Sequence, residues 1–191
     1  MEIDPDLARR IRAALGQTSL VLVGMMGAGK SSVGKRLAAG LGLPFVDADT
    51  EIEAAAHMTI PEIFAAHGEP YFRDGEVRVI SRLLETGSTV LATGGGAFMN
   101  ETTREHIKAR GLSVYLKAEV DVLMKRVRRR ANRPLLQTPD PEGTLRRLLD
   151  ERKATYELAD LILDSHDETH ETVVLRLVDR LANHFGLEAA V

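Results

Sequence analysis

The sequence predicts an α/β fold in which a parallel sheet is covered by helices. Three observations predict it. Five short apolar runs, residues 20–23, 44–46, 89–92, 114–116 and 161–163, alternate with longer stretches that repeat apolar residues every three or four positions. Strands that alternate with helices pair in parallel and bury both faces of their sheet. A glycine-rich stretch, GMMGAGKS, follows the first run directly, at the strand end where such sheets bind ligands. The 191 residues are 44% hydrophobic, which suits one domain with one core. Trp and Cys are absent and aromatics make up only 4%, so that core is aliphatic.

The elements follow in chain order. MEIDPDLARR reads as a short helix with Asp4 as its N-cap and Pro5 in its first position. It has no apolar stretch of the secretory kind; we expect residues 1–17 to be a helical extension packed on the core domain. SSVGKRLAAGLG and EVDVLMKRVRRR carry helical spacing, and Gly42 and Gly111 stand where helix C-caps are expected. Thr59 and Glu62 form a capping-box pattern. RANRPLLQTPDPEG, residues 130–143, holds three prolines and no periodicity, so it is expected to be a long loop of the kind that covers an active site.

Composition excludes some functions. Without Cys there are no disulfides and no thiolate metal sites, which fits a reducing cytoplasm. A net charge of −3 and a pI of about 6.1 give no global attraction for nucleic acid. No apolar run reaches the length of a membrane span.

GMMGAGKS, residues 24–31, fits Gly-x-x-x-x-Gly-Lys-Ser in full. In such a loop Gly27, Ala28, Gly29 and Ser32 offer backbone N–H groups to phosphate oxygens, and the helix that follows adds its partial positive charge. Lys30 reaches the β- and γ-phosphates, and the Ser31 hydroxyl ligates magnesium. FVDADTEIE, at the end of the second apolar run, brings Asp47 and Asp49 to the ligand side of the sheet. One could hold magnesium through water and the other could accept hydrogen bonds from substrate hydroxyls. Capping of the next helix is the other reading. With no apolar run ending in Asp elsewhere, Asp47 is the better metal candidate. GEPYFRDGE puts Arg73 and Glu76 on one helix face, either as a functional pair or as a surface ion pair. TGGGA holds Gly94, Gly95 and Gly96, entropically costly unless something approaches closely. Arg126, Arg128, Arg129 and Arg130 read mostly as a solvated helix face. Arg133 lies inside the loop, where an arginine can close over phosphate. Arg152, alone, would be a surface arginine.

Taken together, GMMGAGKS, FVDADTEIE, GEPYFRDGE, TGGGA, RPLL and ERKATY resemble the shikimate kinase family in order and spacing, over about residues 18 to 180. The first motif is shared by many nucleotide-binding proteins; the second, third and fourth in combination are far more specific. The resemblance implies a five-stranded parallel sheet of the nucleoside monophosphate kinase type in one kinase domain, residues 18–185, with a substrate-binding section near 47–80 and a mobile lid near 130–143. It implies ATP and Mg2+ as cofactors, shikimate as the small-molecule partner, phosphorylation of its 3-hydroxyl on the way to chorismate, and a cytoplasmic monomer. By the same resemblance Asp49 binds the acceptor hydroxyl and is a candidate proton acceptor. Arg73 and Arg152 bind the carboxylate, Gly95 contacts the acceptor through its backbone, Arg133 is the lid arginine on ATP, and Ser31 the magnesium ligand. Two arginines and one aspartate complement an acid with several hydroxyls. One departure is DSHDETHE, residues 164–171, acidic where the family often has a basic residue near the adenine. His166 or backbone could replace that contact, and we expect both His166 and His170 to be surface histidines. Among rivals, a gluconate kinase would share the phosphate loop and the aspartate strand but not FRDGE and TGGGA. A nucleoside monophosphate kinase would set Asp49 against an anionic phosphate. A GTPase would need an Asn-Lys-x-Asp stretch that is absent. A silent binding module would have lost Lys30, Ser31 or Asp49.

Overall fold

The computed structural model describes residues 3–127 and 138–187. The strands are β1 (Ser19–Val23), β2 (Phe45–Asp47), β3 (Val90–Ala92), β4 (Gly111–Lys117) and β5 (Leu161–Asp164). They form one sheet in the order β2-β3-β1-β4-β5, with every pairing parallel. All five apolar runs are strands; β2 is shifted by one residue, so that Asp47 is its last residue. The helices are α1 (Pro5–Leu15), α2 (Lys30–Leu41), α3 (Ala48–Ala56), α4 (Ile60–Leu84), α5 (Glu101–Arg110), α6 (Val120–Val127), α7 (Pro141–Tyr156) and α8 (His170–His184). A 3-10 turn spans Ala97–Met99.

The core is mostly aliphatic, but it also buries Phe72, Phe98, Tyr115 and Tyr156, four of the few aromatics. Leu20, Val21, Leu22 and Val23 of β1 are wholly buried, as the central strand of a doubly covered sheet must be. Strand order reverses around β1, whose neighbours β3 and β4 lead the chain to opposite edges. The crevice for ligands therefore opens beyond its carboxyl end, at Gly24. Helix α1 starts as expected: the Asp4 side chain accepts from the Asp6 N–H and Pro5 stands first. Ala8, Ile11 and Leu15 bury its apolar face, and Arg12 donates to the Leu41 carbonyl at the end of α2.

Three local details position the site. The Thr59 and Glu62 capping box is formed in both directions and opens α4. This helix breaks at Gly68 (φ 80°), which puts Pro70 in the first turn of the second half, where its missing N–H costs nothing. Arg73 and Glu76 then lie on the first two turns of that rigid half. Gly111 ends α5 without the left-handed conformation of Gly42. It is already the first residue of β4, and a methyl group there would lie 2.8 Å from Val21 Cγ2. The expected loop at 130–143 is corrected at its far end: Pro141 is the first residue of α7, capped by Asp140 through the Gly143 N–H. Residues 141–143 are thus helical, because proline is favoured in a first turn and only forbidden deeper. Arg128, Arg129, Arg130, Arg133 and the rest of the expected lid up to residue 137 lie outside the described residues.

Candidate active site

The cleft is bounded on one side by the phosphate loop. Beyond Val23 the chain turns through Gly24, where φ is 135° and an added methyl group would sit 2.8 Å from the Leu116 carbonyl oxygen. Only glycine allows the loop to pass that close to β4. Gly29, left-handed at φ 98°, is the N-cap of α2 and brings no side chain to cap it. The first amide groups of α2 are therefore directed into the cleft, which makes this helix start an anion site by geometry and by dipole. Lys30 is buried, and its ammonium donates to the carbonyls of Gly24 (2.6 Å) and Met25 (3.0 Å). The Ser31 hydroxyl donates to Asp47 Oδ2 at 2.6 Å, while Asp47 Oδ1 accepts the Asp49 N–H at 3.1 Å. The capping reading of Asp47 holds: it caps α3 with one oxygen, and its other oxygen meets Ser31 of the glycine-rich loop.

A hydroxyl and a carboxylate in contact, both hard oxygen donors, fit a magnesium ion, which needs few protein ligands beside phosphate and water. Among the described residues no group of three or more His, Asp or Glu side chains could form an all-protein metal cage. A Mg2+ shared with a nucleotide is the kind of ion this donor pair suits.

The opposite wall is made by side chains from distant segments. Arg73 Nη1 bonds Glu76 Oε2 at 2.7 Å, and Arg73 Nη2 bonds Glu69 at 3.0 Å. The surface-pair reading of Arg73 and Glu76 is corrected, for Glu76 is only 1% exposed. Burial works against the Arg73 charge, but Glu76 and Glu69 outweigh it and hold its pKa above the ordinary arginine value. Burial raises the Glu76 pKa above its ordinary value, against the pull of Arg73 and with a push from Asp49. Glu76 Oε1 is buried with no hydrogen-bond partner among the described residues.

The three glycines each admit a different neighbour. A methyl group at Gly94 would lie 2.6 Å from Glu76 Oε1 and 2.9 Å from Asp49 Oδ1. One at Gly95 would meet the Met26 amide nitrogen at 3.2 Å, and one at Gly96 would overlap the Arg73 guanidinium at 2.6–2.7 Å. Arg152 donates Nη1 to the Gly95 carbonyl at 3.3 Å; it is half-buried and faces the same wall, not open solvent. Asp49, half-buried, lies between this wall and the phosphate loop, and it lines the cleft together with Met26, Lys30, Ser31, Thr93 and Gly95.

The structure thus brings Lys30, Ser31, Asp47, Asp49, Arg73, Arg152 and the glycine triplet to one cleft. Sequence reasoning missed others. Arg126 is no part of a solvated face: it donates to the Ala28 carbonyl (3.2 Å), the Ser165 hydroxyl (3.2 Å) and the His166 carbonyl (2.9 Å), and burial lowers its pKa against the pull of Asp167 and Glu168. His170 also lines the cleft, its ring 3.6 Å from where a Gly29 methyl would stand, so the surface reading holds for the exposed His166 but not for His170. The signal for His170 was its position just beyond β5, at the ligand end of the sheet.

Comparison with known proteins matches the chain to a family. The family model described as shikimate kinase matches residues 26–182. The chain belongs to the shikimate kinase family. It is 62% identical to the shikimate kinase of Bradyrhizobium diazoefficiens over 94% of this chain and 87% of that protein. It is 53% identical to that of Brucella suis over 94% and 90%. The solved shikimate kinase from Acinetobacter baumannii in complex with shikimate superposes with a TM-score of 0.86 at 39% identity, over 91% of this chain and 98% of that one. A gluconokinase from Sinorhizobium meliloti superposes at 0.58 with 19% identity, over 89% and 94%, and shares the fold alone. The family implies ATP as co-substrate. Among the described residues no helix is long and apolar enough to cross a membrane.

Proposed function

We propose that this cleft transfers the γ-phosphoryl group of ATP to the 3-hydroxyl of shikimate. The observation that carries the reading is the acceptor wall: two arginines and one aspartate converge on a glycine triplet directly across from a phosphate loop. Shikimate offers one carboxylate and several hydroxyls, and a relative solved with shikimate shares 39% of its sequence with this chain. Arg73 and Arg152 bind the carboxylate by planar, charge-assisted hydrogen bonds. Asp49 accepts a hydrogen bond from the acceptor hydroxyl and is the candidate to take its proton. The backbone at Gly95 contacts the ring, and Gly94 and Gly96 keep the wall thin enough for Asp49 and Arg73 to stand beside it. On the donor side the α2 amide groups and Lys30 hold the phosphates. Ser31, directly, and Asp47, through water, would hold Mg2+, which neutralises phosphate charge when bound. By resemblance Arg133 belongs to the donor side as well.

The test is ADP release with shikimate, gluconate and nucleoside monophosphates as alternative acceptors. Turnover with shikimate should exceed the others by orders of magnitude. Faster turnover with gluconate or with a nucleoside monophosphate would overturn the reading.

A further inference from the structure

Tyr156, the last residue of α7, is wholly buried. Its ring stacks on Tyr115 of β4, with centroids 4.9 Å apart and planes 19° apart. Its hydroxyl donates to the Gly95 carbonyl and stands 3.6 Å from the Met25 sulfur in the phosphate loop. Arg152 lies one helical turn earlier on the same face of α7. It donates to the same Gly95 carbonyl, and its charge acts on the Tyr156 hydroxyl. Arg152 and Tyr156 therefore meet at one acceptor, the Gly95 carbonyl oxygen, from successive turns of one helix face.

An arginine at the edge of an open cleft has many rotamers, and each one lost on binding costs affinity. A group that holds the guanidinium beforehand removes that cost. The Tyr156 hydroxyl is such a group, since the stacked ring cannot turn away. Burial raises its pKa to about 12, against the pull of Arg152 and Arg73. It stays protonated, and so stays a donor, across the working range of pH.

We propose that Tyr156 is a positioning residue for the acceptor: its hydroxyl, anchored on the Gly95 carbonyl, aims the Arg152 guanidinium at the carboxylate of the incoming acid. The proposal rests on the acceptor being a carboxylate held by Arg152, as inferred above. It assigns Tyr156 to substrate affinity and leaves the phosphoryl step to other groups.

Tyr156→Phe tests it, because the ring and its stacking on Tyr115 remain and only the hydroxyl is lost. Steady-state kinetics should show KM for shikimate raised roughly tenfold, the scale of one hydrogen bond to a charged group, with kcat and KM for ATP within about twofold. In an Arg152→Ala background the same change should add nothing further, since there is no guanidinium left to aim. Tyr115→Phe, which keeps the stack and touches neither Arg152 nor Gly95, should leave KM for shikimate unchanged. The proposal is overturned if Tyr156→Phe leaves that KM unaltered, raises both KM values equally, or keeps its full effect without Arg152. Circular dichroism checks the fold of each variant. Wild-type turnover of shikimate is measured first; its absence would overturn the functional reading and this one together, whereas an active wild type with an indifferent Tyr156→Phe overturns this one alone.

Discussion

The phosphate loop packs its functional groups into consecutive residues, 24–31, whereas the acceptor wall draws Asp49, Arg73, Glu76, Gly95 and Arg152 from α3, two turns of α4, the segment after β3, and α7. The first is mostly backbone. Its shape is set by Gly24 and Gly29, and its charge by the start of α2. The second is mostly side chain, and each long side chain is held by a partner: Arg73 by Glu76 and Glu69, Arg152 by the Gly95 carbonyl that Tyr156 also bonds. A local loop fails when one of its own residues is changed. A distributed wall can also fail through residues that never touch the substrate, which is why buried Glu76 and Tyr156 matter there.

The largest expected effect is at the point where the two halves meet. Asp49→Asn keeps size and an acceptor but removes the negative charge. Steady-state kinetics should show kcat lower by roughly a hundredfold to ten-thousandfold, the range for a lost general base. Because Asp47, not Asp49, caps α3, the cost in stability should be only about 0.3–1 kcal/mol, from a lost charge in the first turn of the helix. Retained kcat would return Asp49 to a structural role and leave the wall without its reactive group.

Next comes the loop. Lys30→Ala should lower kcat by roughly a hundredfold or more at saturating ATP and Mg2+, the scale of one preorganised electrostatic contact. The effect on KM for shikimate should be small. Near-normal turnover would break the assignment of the loop as the donor half.

Arg73→Lys keeps the charge but loses the planar fork. Shikimate binding, followed by titration calorimetry, should weaken by roughly tenfold, consistent with a lost charge-assisted hydrogen bond, while ATP binding is nearly unchanged. A loss of ATP affinity with shikimate affinity intact would reverse the division of the cleft into two halves.

The smallest effect sharpens the comparison through pH. The folded chain raises the Glu76 pKa, so it binds that proton more tightly than the unfolded chain does. Glu76 therefore contributes stability that is full below the unfolded carboxylate pKa and is lost as pH rises through the raised folded value. Protonation also removes the charge that holds Arg73. KM for shikimate should rise on acidification through that raised value, and KM for ATP should not follow. In Glu76→Gln that acid limb should vanish. Parallel pH profiles for both substrates would show that the two halves share their titrating group.

The same contrast explains what was legible beforehand. The five strands, the phosphate loop, the Thr59 capping box and the Asp4 cap were readable because each is a local pattern whose physics acts within a few residues. Pro141 was misread as loop because a proline in the first turn of a helix and a proline in a turn look alike until the cap at Asp140 is seen. Arg126 was misread because helical spacing alone does not reveal that Ala28, Ser165 and the His166 carbonyl lie across from it.

By itself the sequence determined the sheet, the glycine-rich loop at its ligand end and the family, since periodicity, glycine placement and ordered motifs are properties of neighbouring residues. Tertiary structure alone decided that Glu76 is a buried carboxylate and not a surface partner, that Gly94, Gly95 and Gly96 each make room for a different segment, and that Tyr156 stands against Arg152 and Gly95. The physical reason is that burial and hydrogen-bond partners depend on which distant segments the fold brings together, 61 residues apart in the case of Tyr156 and Gly95.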